Sequence, residues 1–110
     1  MMSKYGNRKT EVDGILFDSR KEAARWCELK LMEKAHLIRD LQRQYPFELI
    51  PKQVKDGKVV ERAVKYVADF VYYDNDGNLV VEDAKGMRTD AYKLKKKMML
   101  YFKGIEIREV

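Results

Sequence analysis

The chain has 110 residues, 45% hydrophobic and 37% charged, with 2 Pro and 6 Gly. That composition fits one folded domain with a charged surface and excludes a disordered chain; no apolar run approaches the about 20 residues of a membrane span. A net charge of +5 and a pI near 9.3 suit a polyanionic partner. The single cysteine, Cys27, excludes an internal disulfide, and no zinc-ligand spacing is present. No signal peptide precedes the fold, so a reducing cytoplasm is expected.

Residues 1–10 read as a flexible basic arm, and residues 11–110 as the domain proper. Val12, Ile15 and Phe17 alternate around Asp13-Gly14, which predicts a small hairpin. Ser19-Arg20-Lys21-Glu22 matches a capping box and opens a helix over 19 to about 36. Ala24, Cys27, Leu31, Ala35 and Ile38 recur on one face of it, with Trp26 and Leu29 widening the stripe. Cys27 and Trp26 read as core, and His36 as a helix-end residue. From Leu41 to Leu49 the period becomes two, a half-buried strand with Pro46 at an edge or bulge.

Lys55-Asp56-Gly57-Lys58 is a tight turn, and Val59 to Tyr73 forms the returning strand. Asp74-Asn75-Asp76-Gly77 turns the chain again, into a third strand over Leu79 to Lys85. Thr89 starts a second helix with Ala91, Leu94, Met98 and Tyr101 on one face, stopped by Gly104. Ile105 and Ile107 mark a last short strand. The expected architecture is α+β: a single domain with an αβββαβ core, its mixed sheet flanked by helices.

Asp69 stands among Val67, Ala68, Phe70 and Val71. A carboxylate there is costly unless backbone donors, a cation or a metal satisfies it. The Asp74–Gly77 turn lays the next strand beside it and brings Asp83 near. Two adjacent carboxylates call for a shared proton, a cation or a metal. Lys85 is on the face of Asp83 and supplies a cation. All the donors are hard oxygens, so Mg2+ or Mn2+ is the expected ion. Read without a partner, Asp83 and Lys85 are a polar strand end and Glu22 is only a cap. Between Lys85 and Lys103 lie Lys85, Arg88, Lys93, Lys95, Lys96, Lys97 and Lys103 against Asp90. Such a run is either a phosphate-binding face or a solvated helix face.

Asp69 followed by Asp83-Ala84-Lys85 resembles the D…(D/E)-x-K signature of the PD-(D/E)XK nuclease superfamily, whose restriction-endonuclease-like core has the same element order. ADFVYYDNDGNLVVEDAKG, TDAYKLKKKMMLYFKGIEIREV and SRKEAARWCEL resemble a family of small phage proteins placed in that superfamily. The resemblance implies metal ligation by Asp69, Asp83, the Ala84 carbonyl and Glu22, with Lys85 as the catalytic lysine. Catalysis would then rest on Lys85, Glu22, Asp69 and Asp83. Arg88, Tyr92, Lys93, Lys95, Lys96 and Lys97 would contact DNA, with Tyr92 and Lys95 off the apolar face and near the scissile phosphate. Two departures stand out: Ala68 replaces the proline before Asp69, and the second acid is Asp.

The implied activity is a Mg2+-dependent DNA endonuclease of phage DNA metabolism, acting on branched or recombining DNA as a homodimer in the host cytoplasm. The alternatives are a non-catalytic DNA-binding or replication accessory protein of the same fold, and a module docking an acidic protein. An aspartate among strand valines argues against the last.

Overall fold

The computed structural model describes residues 9–84 and 88–110. Two strands, β1 (Thr10–Val12) and β2 (Ile15–Phe17), form the first hairpin. Its turn residues Asp13 and Gly14 have φ of 52° and 77°, the left-handed pair an Asp-Gly turn supplies. Helix α1 (Arg20–Lys34) follows, with the Ser19 hydroxyl accepting from the Glu22 N–H at 3.1 Å. His36, at φ 62°, takes the chain out of the helix. Then come β3 (Ile38–Ile50), β4 (Gln53–Lys55), β5 (Lys58–Glu61), β6 (Val64–Asp74) and β7 (Leu79–Asp83). Helix α2 (Asp90–Met98) continues into a π-turn, Met99–Lys103, before β8 (Arg108–Glu109). Gly104 closes that turn at φ 67°, accessible to glycine without Cβ strain.

The main sheet has the order β3-β6-β7-β8. Its first three strands are antiparallel, and β8 runs parallel to β7. This is an α+β domain with a mixed four-stranded sheet. Val80 belongs to a core formed with Ala23 and Leu29 of α1, and its neighbour Val81 to a core formed with Tyr92 and Met99. Adjacent strand residues point to opposite faces, so each face carries one helix and one core.

Along β6 the alternation slips once. Tyr66 and Ala68 lie in the α2 core, yet Phe70 and Tyr72, at the same parity, lie in the α1 core. The change of face falls at Asp69. Across β3 the matching position is Gln44, between the pairs Arg43↔Phe70 and Tyr45↔Ala68, and its φ is 53°. Leu41 packs with the α1 core and Phe47 with the α2 core, so both strands reverse together.

Both helices turn part of their expected apolar face outward, although Leu29 is buried and Trp26 and Met98 pack against the cores. On α1, Glu22, Ala23 and Leu29 are buried and Trp26 half-buried, while Ala24, Cys27, Leu31 and Ala35 are exposed. Cys27 is therefore not core. On α2, Tyr92 is buried while Ala91, Leu94 and Tyr101 are exposed. The reason is that charged groups occupy the buried face of α1 with partners on the sheet. Arg25 donates through Nε and Nη2 to the two carboxylate oxygens of Glu82 at 2.8 and 2.7 Å. The Glu82 side chain is fully buried and also accepts from the Tyr72 hydroxyl, which Arg108 approaches at 3.4 Å. Burial and the bond to Glu82 push the Tyr72 phenol up to about 12.

Removing one partner of such a pair strands the other charge without water, at a cost of about 3–5 kcal/mol. Arg25→Met is expected to lose that much in urea unfolding. The double change Arg25→Met with Glu82→Met should return most of it. Equal losses in the single and double variants would show the pair to be stabilising in itself.

Candidate active site

The slip at Asp69 places its carboxylate where β6 leaves the end of β7. The β6–β7 register pairs Phe70 with Glu82, so Asp69 stands one step further, beside Asp83. Asp69 is 6% exposed. Its Oδ2 accepts from the Ala84 N–H at 2.8 Å, and the Gln44 amide lies 3.5 Å from Oδ1. Backbone donation thus satisfies part of a carboxylate that the sequence makes hard to explain.

Glu22 arrives from the first turn of α1. Ser19 caps its N–H, but the carboxyl hydrogen-bonds Asp69, so the second arm of the expected capping box goes to the sheet. The Glu22 carboxyl is pushed up to about 7. Burial is the main cause, followed by the charge of Asp69 and the hydrogen bond between the two; Asp18 adds to it and Arg43 opposes it. A proton held between two carboxyls is the ordinary relief of such a contact.

Asp83 is 1% exposed, and its Oδ2 accepts from the Tyr66 hydroxyl at 2.7 Å. Burial, and then the bond to Asp83, raises the Tyr66 phenol far above its usual range, so the hydroxyl stays a donor. Glu22, Asp69, Asp83 and Ala84 are therefore brought to one end of the sheet. Among the described residues no group of three His, Cys, Asp or Glu side chains is arranged to hold a metal ion. The donor set is nonetheless all oxygen, the chemistry that a hard cation takes. Lys85 lies outside the described residues.

The basic stretch is placed differently from expectation. Arg88 Nε and Lys96 Nζ bind the Glu109 carboxylate at 2.6 and 3.0 Å, and the Tyr92 hydroxyl donates to it at 2.9 Å. Those bonds, Arg88 first, pull the Glu109 carboxyl down to about 2. Tyr92 is thus a buried core residue tied to β8, not an off-core contact. Lys93 and Lys97 are exposed, and Lys95 is half-buried. Lys95 shares with Lys65, Tyr66, Thr89 and Tyr92 a cavity of about 260 Å³.

Four participants were not singled out by the sequence. Tyr66 and Gln44 orient the acids, Glu109 neutralises part of α2, and Arg43 lies beside Glu22 with its Nε buried and without a hydrogen bond. The Arg43 guanidinium is 5.0 Å from the centre of the Phe17 ring. Only the three-residue step from Tyr66 to Asp69 offered a signal. It becomes readable once the reversal of face is known.

The fold and this end of the sheet define a small α+β protein with buried acids from one helix and two strands. The chain belongs to the family described as a protein of unknown function, DUF1064, whose model matches residues 2–109. No curated protein and no solved structure matches it. No described helix is long and apolar enough to cross a membrane.

The raised Glu22 carboxyl has a stability consequence. Its folded value of about 7 lies above the ordinary glutamate value of 4.5, so the native state binds the extra proton between those pH values. Metal-free stability should fall as pH rises through that window, by on the order of 3 kcal/mol at most. Glu22→Gln should flatten the dependence and exceed wild type at pH 8, read by urea unfolding in EDTA. An unchanged pH slope in the variant would place the titration elsewhere.

Proposed function

We propose that this protein is a metal-dependent DNA endonuclease of the PD-(D/E)XK type, hydrolysing phosphodiester bonds in phage DNA metabolism. The observation that carries the reading is the meeting of Glu22, from α1, with Asp69, on β6, at the buried end of β7 where Asp83 and Ala84 follow. Structural acids are usually paired with cations; here the neighbour of a buried carboxyl is another carboxyl.

Asp69, Asp83, Glu22 and the Ala84 carbonyl would hold Mg2+ or Mn2+, which supplies Lewis-acid activation of water and of the scissile phosphate. The protein's own parts in this are distinct. Tyr66 fixes the orientation of Asp83, as an outer partner of a ligand does. The Ala84 N–H and Gln44 fix Asp69. Glu22 gives up its proton as the cation binds, which makes ion affinity rise with pH. Lys85, two residues beyond Asp83 in the sequence, is the cation proposed to stabilise charge on the phosphate. Lys93, Lys95 and Lys97 supply phosphate contacts on α2; Arg88 and Lys96 do so by exchanging Glu109 for DNA. Branched DNA and a homodimer in the host cytoplasm complete the proposal.

A second reading is a non-catalytic DNA-binding accessory protein. The lack of a three-acid metal arrangement among the described residues favours it. The two separate in one experiment. Labelled single-stranded, duplex, flap and four-way-junction DNA are incubated with Mg2+ or Mn2+ and wild type, Asp69→Asn or Asp83→Asn. Metal-dependent cutting should fall at least 100-fold in both variants with binding retained, since each removes a charge from the site (a loss of about 2.7 kcal/mol in barrier terms). Cutting that survives both substitutions rules out this site.

A further inference from the structure

The molecule is more extended than its length requires. Its radius of gyration is 16.1 Å, against about 13 Å for a compact chain of this size, and its longest extent is 51 Å. The hairpin β4–β5 contributes to this. It continues the β3–β6 ribbon beyond the last pair, Ile50↔Val64, and every residue of both its strands is exposed. An isolated two-stranded hairpin is marginally stable in water, so one left bare on both faces calls for a partner.

Its pairing says which kind. Asp56 and Gly57 form the tip, with φ of 52° and 76°, and Lys55 faces Lys58 directly across it. Like charges opposite one another destabilise a hairpin unless an anion lies over them. Lys52, Arg62 and Lys65 extend the positive charge down the ribbon, against Asp56, Glu61 and Glu48, the last directly across from Lys65. Among the described residues none of these five cations makes an ion pair, whereas Arg88 and Lys96 of the helical stretch are both held by Glu109. Val54 and Val59 pair on the other face, each 55% exposed.

We propose that β4–β5 is an arm that follows duplex DNA, with Lys55 and Lys58 on its phosphates. This deepens the nuclease reading and rests on it only for what happens at the acids. A two-stranded ribbon fits the major groove. From Asp69 to Gly57 the chain runs twelve residues, a reach of at most about 40 Å at ~3.3 Å per residue. That is about one turn of duplex, so the tip meets DNA roughly a turn from the acids. The lysines contact phosphates and set register, without reading sequence.

The test measures binding of a 30-base-pair duplex by fluorescence anisotropy in EDTA, over a range of salt concentrations. Wild type is compared with Lys55→Ala/Lys58→Ala and with Lys55→Arg/Lys58→Arg. The alanine pair should weaken binding and lower the slope of log K against log salt by about 1.8, ~0.9 for each lost contact. The arginine pair should keep both. The hairpin lies outside both cores, and circular dichroism checks that each variant folds. Unchanged affinity and slope in the folded alanine variant overturns the proposal, as does wild type that binds no duplex. Sedimentation velocity covers the other occupant: a wild-type dimer that the alanine pair converts to monomer would make the arm a contact with a second copy, and overturn it too. Arm-dependent binding by a protein that cuts nothing would leave the arm standing and remove the nuclease.

Discussion

The reversal of face at Asp69 and Gln44 is the constraint on which the rest of the structure depends. A straight β6 would send Tyr66, Ala68, Phe70 and Tyr72 into a single core. Instead the first two serve the α2 core and the last two the α1 core. Gln44 takes a left-handed backbone, uncommon for a residue with a Cβ, and β3 turns with its neighbour. Asp69 thereby belongs to neither apolar face and points to the buried end of β7, where the Ala84 N–H and the Glu22 carboxyl meet it. A few ångströms of strand geometry convert a costly buried aspartate into one with defined partners.

The two acids at the end of β7 show what opposite faces do to the same chemistry. Glu82 points to α1 and is fully compensated: a bidentate guanidinium, a phenol and no water. Its position makes it a strut between helix and sheet. Asp83 points the other way, receives a neutral hydroxyl from Tyr66, and stands across the strand pair from Asp69, whose own neighbour Glu22 is pushed up to about 7. The first arrangement leaves no buried charge without a partner, whereas the second, a raised carboxyl beside Asp69, costs the folded chain stability, which is the usual price of a reactive site. That contrast between neighbours is a stronger argument for chemistry at Asp83 than the acid–x–lysine spacing alone.

What was legible in the sequence follows from how local each feature is. The Asp13-Gly14 and Asp56-Gly57 turns, the Ser19 cap and the Gly104 stop are decided by a residue or two of backbone chemistry, and all stand where the sequence puts them. The strand order and the nearness of Asp69 to Asp83 follow from one tight turn between neighbours. The helix faces were not legible, because apolar periodicity assumes that charged residues face water. Here Glu22 and Arg25 are aimed at the sheet, so Cys27 and Leu31 are left outside. Glu109 was hidden for another reason: it lies on a two-residue strand at the end of the chain, and only the parallel pairing with β7 brings it to Arg88 and Lys96. The reversal at Gln44 has no local signature at all, since nothing in QRQYP demands a positive φ.

The distribution of positive charge changes once these partners are known. By sequence the lysine-rich second helix is the obvious phosphate-binding face. In the fold, Glu109 takes Lys96 of the helix and Arg88 just before it, and Tyr92 turns inward, so the helix is part of the frame that fixes β8 against β7. Among the described residues, the cations without an ion pair include Lys52, Lys55, Lys58, Arg62 and Lys65 of the hairpin and its stem, and Lys93, Lys95 and Lys97. Lys65 and Lys95 both line the cavity beside Tyr66, which joins these two groups. A polyanion running from the hairpin to α2 would therefore pass over Tyr66 and the end of β7. Of the buried acids, Asp83 is the one tied to that cavity, through the Tyr66 hydroxyl.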